Sequence, residues 1–283
     1  MQIYSSIISP KVVNMNLGTA NWRFLDCRFD LAKPLQKQSE FSISHLPKAS
    51  YVNLENDLSA APIIGKTGRH PLPEIKTLIE KFSLWGINSF SQVVVYDDCG
   101  GAHAARLWWI LQWLGHNSVA VLDGGWHRWI KENRPISKTV EIFENSVFNA
   151  KPRNEWFVNA EEILDIIDDE KVCIFDARSF ERFKGDNETI DPIGGHIPGA
   201  VSVPFYGNLD KDGNWKSKSE LRQMYLELLK GFPVEQTISY CGSGITACHN
   251  ILAIYHAGLG FSRLYPGSWS DWINNSKRPV SIG

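Results

Sequence analysis

The stretch SYCGSGITACHN, from Ser239 to Asn250, ends an apolar run on a cysteine. Two glycines follow at 242 and 244, and then a helical pattern begins at Ile245 or Thr246. A cysteine that only fills a core needs no such neighbours, and a metal-binding cysteine wants partners at fixed spacing. The pattern puts Cys241 in a strand-to-helix turn, at the carboxyl end of a parallel sheet, where open α/β folds hold their ligands. Gly242 and Gly244 permit positive φ, so successive amides of the turn can point inward. The first amides of a helix point the same way. The expectation is a cradle for negative charge around the Cys241 sulfur, lined by Gly242, Ser243, Gly244, Ile245 and Thr246. A helix N-terminus is worth about 0.3–2 kcal/mol to an anion. One pKa unit is about 1.36 kcal/mol, so a helix alone lowers a thiol by roughly one unit. Several converging amides are needed to make a thiolate dominant.

Two chemistries suit such a cradle. A cysteine phosphatase loop reads Cys-x5-Arg, but that last position here is Ala247, and Tyr240 rather than a histidine precedes the cysteine. Without a guanidinium, a phosphate dianion loses its bidentate partner. The other chemistry is sulfur transfer, in which the thiolate takes a sulfane sulfur and the amides hold the persulfide anion.

The elements that must position this loop occur twice. Val93 to Ile130 reads VVVYDDCGGAHAARLWWILQWLGHNSVAVLDGGWHRWI, and Thr237 to Ile273 reads TISYCGSGITACHNILAIYHAGLGFSRLYPGSWSDWI. Each has a short apolar run, a glycine-containing loop, an amphipathic helix, a second apolar run and a Trp-rich closing helix. Upstream, RFLDCR (Arg23 to Arg28) matches CIFDAR (Cys173 to Arg178), and SHLPKA (Ser44 to Ala49) matches GHIPGA (Gly195 to Ala200). The period is domain-sized, so this is a tandem duplication rather than a solenoid. Strands are expected at RFLD, QVVVY, SVAVL, KVCIFD, QTISY and SRLY. Helices are expected at PEIKTLIEKFSLWG, AARLWWILQWLG, KSELRQMYLELLKG and ITACHNILAIYHAGLG. Short apolar strands alternating with helices imply an α/β fold of two tandem domains, each a mostly parallel sheet flanked by helices on both faces. The boundaries drawn from composition are 1–137, a linker over 138–156, and 157–283. The loop Gly185 to Gly195 is the other irregular stretch.

The chain has 283 residues, comfortable for two domains of about 130–140. A net charge of -2 speaks against nucleic acid or an anionic membrane as partner. No apolar run reaches the roughly 18–20 residues of a spanning helix, and Met1 to Val13 lacks the pattern of a secretory signal. Five scattered cysteines, Cys27, Cys99, Cys173, Cys241 and Cys248, argue against a disulfide framework and for a reducing cytoplasm. Apart from Cys241, they read as small buried hydrophobes. No metal or organic cofactor is expected.

The Cys241 to Ala247 loop, the paired Asp-x-Arg and His-[Ile/Leu]-Pro segments and the Trp-containing closing helices together resemble the two-domain rhodanese family. Its members are the thiosulfate and 3-mercaptopyruvate sulfurtransferases, and the resemblance covers nearly the whole chain. It implies a non-catalytic N-terminal copy, a catalytic C-terminal copy and a site in the cleft between them. In the first copy Asp97 or Asp98 stands where Cys241 does, and a carboxylate is expected to sit poorly in an amide cradle. Cys99, one or two residues on, is the weaker candidate for a second nucleophile. The neutral Cys-Gly-Ser-Gly loop is similar to mercaptopyruvate enzymes, whereas thiosulfate enzymes carry basic residues there. The resemblance also implies a relay of Ser243 with His70, in GRHPLP, and Glu55, in YVNLEND. The plain alternatives are a packing histidine and a surface carboxylate. Arg182, in ERFKG, matches the first substrate-gripping arginine; its plain alternative is a surface ion pair. The second arginine position holds Asp191, which is expected to weaken or repel an anionic donor; Arg69 is the nearest substitute. Asp176, Arg178 and His196 are assigned structural roles, and Trp269 and Trp272 the core. The activity implied is sulfur transfer from thiosulfate or 3-mercaptopyruvate to cyanide or a thiol through a Cys241 persulfide. A thioredoxin-like reductant is a further acceptor. The alternative is a persulfide carrier loaded by a protein partner.

Overall fold

The computed structural model describes residues 2–167, 169 and 172–283. Two sheets form, each built only from parallel ladders. The first contains β1 (Ile7–Ile8), β2 (Trp22–Asp26), β3 (Ala49–Tyr51), β4 (Gln92–Tyr96) and β5 (Val119–Leu122), in the order β1-β5-β4-β2-β3. The second contains β6 (Cys173–Asp176), β7 (Val201–Ser202), β8 (Thr237–Tyr240) and β9 (Arg263–Leu264), in the order β7-β6-β8-β9. In both sheets the strand that leads into the chemical loop, β4 or β8, is internal and buried along its length. That burial is why QVVVY and TISY read as continuous apolar runs rather than alternating ones.

Helices flank the sheets. All ten residues of the helix Ala104–Trp113 are buried, and eight of the helix Ala247–His256. The first core gathers Trp22, Phe24, Phe41, Val94, Tyr96 and Trp129. The second gathers Ile163, Ile174, Ile238, Tyr240, Trp269 and Trp272.

The duplication extends to individual polar bonds. Arg28 grips Asp26 and gives Nη2 to Ser44 O at 2.8 Å; Arg178 grips Asp176 and gives Nη2 to Gly195 O at 2.6 Å. His45 Nδ1 donates to Phe41 O at 2.6 Å and the ring stacks on that of Phe41; His196 Nδ1 donates to Phe183 O at 2.9 Å and stacks in the same way. Tyr96 Oη takes the amide of Leu46, as Tyr240 Oη takes that of Ile197. Trp129 and Trp272 each donate Nε1 to a proline carbonyl, Pro135 O and Pro279 O, at 2.8 Å. These buried donors and acceptors satisfy one another, which fixes the loops between the strands. Asp176, Arg178 and His196 thus do the structural work expected of them.

Two compact units divide the chain, and neither is one continuous stretch. The first comprises Met1–Ala60, Pro73–Arg153 and Lys211–Trp215. The second comprises Ala61–Leu72, Asn154–Asp210 and Lys216–Gly283. The irregular stretch after Arg134 is tied to the first unit: Phe148 is buried edge-on to Phe82, and Lys151 and Arg153 give their amides to Leu114 O and Trp113 O. Lys171, the first residue of the expected strand KVCIFD, lies outside the described residues, and β6 runs from Cys173.

Candidate functional site

Cys241 follows β8 directly, and the helix after it starts at Ala247. The start falls one or two residues later than the sequence pattern predicts, because Gly242 to Thr246 form a bent loop before the first helical bonds. Cys248 and His249 give the first amides of the turn, to Ile245 O and Thr246 O at 3.1 Å. Among the described residues, the amides of Gly242, Ser243, Ile245, Thr246 and Ala247 take no backbone partner. These are the donors an anion at the loop can use. Cys241 itself is 2% exposed.

The two glycines serve different ends. Gly244 has φ +79°, and a Cβ there would overlap Pro266 O, so both conformation and space require glycine. Gly242 does not adopt positive φ, contrary to the expectation that both glycines curl the turn. Its reason is space: a Cβ would lie 2.9 Å from Arg69 Nη2 and 3.3 Å from Arg182 Nη2. Two guanidiniums therefore close on the residue next to the nucleophile.

A second turn holds the loop from behind. Trp269 gives its amide to Cys241 O and Ser270 to Gly242 O, both at 2.9 Å. Ser268 Oγ takes the Cys241 amide at 3.1 Å and donates to Tyr265 O at 2.9 Å. Ser268 does this at φ +54°, a strained conformation for a residue with a side chain. The corresponding residue of the first copy is Gly125, at φ +53°. A serine where the repeat has glycine, just before a tryptophan common to both copies, was the available signal for Ser268.

The segment 67–70 belongs to the second unit and is pinned to this turn. Asn274 Nδ2 donates to Thr67 O at 2.9 Å, and Arg69 gives its amide to Ser270 Oγ at 3.0 Å. Gly68 lies so close to Gly267 O that no side chain fits. His70 is thereby placed with Nδ1 2.7 Å from Ser243 Oγ, and both side chains are buried. So Ser243 and His70, from distant parts of the chain, meet. Glu55 belongs to the first unit, in a turn where Asn53 Oδ1 holds the amides of Glu55 and Asn56 at 3.0 Å. Its side chain is exposed.

Arg182 Nη2 pairs with Asp191 at 2.9 Å, and its Nε pairs with Glu188 at 2.8 Å. Arg69 pairs with the other oxygen of Asp191. Asp191 therefore does not stand as a bare repelling charge; it bridges two cations. Burial pushes its carboxyl up from the usual range, against the pull of Arg69. Burial also pushes Glu188 up, but the bond from Arg182 and the amides of Asp191 and Ile190 outweigh it, and the net direction is down.

The matching loop of the first unit is already filled. Asp97, directly after β4, takes the amides of Cys99 and Gly101 on Oδ1 and those of His103 and Ala104 on Oδ2, at 2.8–3.0 Å. The expectation that a carboxylate sits poorly there is corrected: the loop is one residue longer before its helix, and its amides converge on the carboxylate. Asp98 turns away to Lys37 at 2.8 Å. Burial, with Asp97 nearby, pushes the Cys99 thiol well up from its usual range, which disfavours its thiolate. Cys27, Cys173 and Cys248 are buried, and none of them forms a disulfide. No helix of the described residues is long and apolar enough to cross a membrane.

Known proteins are similar to this chain over nearly its whole length. The family model "Rhodanese-like domain" matches twice, over residues 9–132 and 159–275. A probable 3-mercaptopyruvate sulfurtransferase of Pseudomonas aeruginosa is 42% identical over 280 residues, covering 99% of each chain. The thiosulfate sulfurtransferase of Bos taurus is 31% identical, over 97% of this chain and 94% of that one. The solved structure of 3-mercaptopyruvate sulfurtransferase from Leishmania major superposes with a TM-score of 0.86 at 28% identity, over 98% of this chain and 76% of that one. With two copies of the fold, a cysteine loop in one and a carboxylate-filled loop in the other, the chain belongs to the rhodanese family of sulfurtransferases.

Proposed function

We propose that this sulfurtransferase uses 3-mercaptopyruvate as its preferred donor and carries the sulfur as a persulfide on Cys241. The observation that carries the donor choice is the 2.7 Å approach of His70 Nδ1 to Ser243 Oγ. Thiosulfate releases sulfite, a good leaving group that needs no proton. Mercaptopyruvate must break a carbon–sulfur bond and leave as an enolate, which needs one. In this reading the Cys241 thiolate attacks the donor sulfur and a sulfur–sulfur bond forms. The carbon–sulfur bond breaks with its electron pair left on the three-carbon fragment. The proton carried on the donor sulfur reaches that carbon by way of Ser243 and His70, giving pyruvate. The loop amides of Ser243, Ile245 and Thr246, with Gly242 and Gly244 leaving room, stabilise the persulfide anion. Arg182, with Arg69, receives the donor carboxylate. Cyanide or a thiol, that of a thioredoxin-like protein included, then takes the outer sulfur and frees the thiolate, a two-step ping-pong course. Five cysteines outside any disulfide suit a reducing compartment such as the cytoplasm.

Mass spectrometry after incubation with mercaptopyruvate tests the first half-reaction. One added sulfur is expected on the native chain and none on Cys241→Ser. Steady-state rates test the donor. Ser243→Ala is expected to slow mercaptopyruvate turnover at least about a hundredfold more than thiosulfate turnover, in the range of acid–base contributions. Equal slowing removes the relay. Glu55, the acid implied for the relay, is tested by Glu55→Gln; as an orienting acid it costs activity with mercaptopyruvate only. The tie of Asp191 to both arginines favours one other reading, a persulfide carrier that small donors load poorly. Turnover near background with both donors would establish that reading instead.

A further inference from the structure

Asp191 is 8% exposed and its carboxylate is bonded on both oxygens, by Arg69 on one side and Arg182 on the other. Those guanidiniums are the ones that close on Gly242, beside the nucleophile. Their partners extend the cluster. Arg182 also holds Glu188, and Arg178 reaches Glu188 at 3.5 Å while gripping Asp176. Three guanidiniums thus face three carboxylates, and the cluster carries no net charge. A carboxylate spanning two guanidiniums is also how an incoming donor carboxylate would bind. The internal carboxylate already occupies that arrangement.

We propose that Asp191 is a specificity-determining residue, a built-in competitor that occupies the Arg69–Arg182 pair and lowers affinity for anionic donors. The inference rests on reading the Cys241 loop as the donor site. It opposes the simplest alternative, in which Asp191 only positions the two arginines. The two have opposite signs. Removing a competitor frees two cations and tightens anion binding; removing a positioning group loosens it.

The test measures binding of pyruvate, which has the donor's carboxylate and keto group and no transferable sulfur. Isothermal titration compares Asp191→Asn and Asp191→Ser with the parent chain, all carrying Cys241→Ser so that no sulfur chemistry enters. Thermal melts by circular dichroism establish that each variant is folded, and two different replacements guard against the failure of one. The dissociation constant is expected to fall about tenfold, the scale of one charge-assisted hydrogen bond. In the active background, KM for mercaptopyruvate falls with it, and the effect lies on KM rather than on kcat. Unchanged or weaker pyruvate binding in a folded variant overturns the proposal. The result is separable from the activity itself. Tighter pyruvate binding with no mercaptopyruvate turnover would sink the donor reading and keep this one, and turnover without tightening would do the reverse.

Discussion

At the scale of single residues, the two copies differ by what they place at the mouth of one loop. The first copy places Asp97, whose four amide bonds make the loop self-sufficient. Asp97→Ala leaves those amides without their anion, and chemical denaturation should show a loss of about 3 kcal/mol or more. The second copy places Cys241, and among the described residues the amides of Gly242, Ser243, Ile245, Thr246 and Ala247 there take no backbone partner. Ser268 is the less visible half of that change. It accepts strain to bind the Cys241 amide, a bond its glycine counterpart has no side chain to make. Ser268→Ala should cost about 1–3 kcal/mol by denaturation, from an unpaired buried amide. It should also slow sulfur loading, read as the rate of the mass gain on Cys241. The nucleophile was legible because a cysteine followed by two glycines has few other uses. Ser268 was legible only by setting the two copies side by side, where it replaces Gly125, and its role needed the φ of +54° and the bond to the Cys241 amide.

At the scale of elements, the loop after β8 shows that two glycines in one motif need not serve one purpose. Gly244→Ala meets both a left-handed φ and Pro266 O, so it should lower stability by at least about 2 kcal/mol. Gly242→Ala meets only the ends of two flexible side chains. It should fold with a melting temperature near the parent's and raise KM for anionic donors, because Arg69 and Arg182 must retreat. Comparing the two variants by thermal melt and by KM separates the roles. The long buried strands and helices were readable from the apolar runs. The strands of two or three residues, β1, β3, β7 and β9, were not all readable, since so short a ladder is set by its neighbours rather than by any period of its own.

At the scale of the whole molecule, the duplication was plain from matching words in the sequence, but the exchange of segments between units was not. Nothing local in GRHPLP says that it packs with residues two hundred positions away; Asn274, Ser270 and Gly267 decide that. Stability as a function of pH also belongs to this scale. Burial, and secondarily Lys218, lower His256 to about 4 from an ordinary value near 6.5. Between those values the unfolded chain binds more protons, so stability falls as the pH drops from about 6.5 to 4. Burial lowers His103 and His116 in the same direction. Melting temperature should therefore decline across that window, and His256→Gln should flatten the slope.

The placement of Ala61–Leu72 in the second unit carries a practical corollary. A gene divided at its midpoint yields a downstream product that keeps Cys241 yet lacks His70 and Arg69, the residues to which the proposed mechanism gives the proton and half of the anion grip. The halves look modular in the text of the chain, but under the proposed mechanism a segment from each is needed, so the activity would be inherited only by both together.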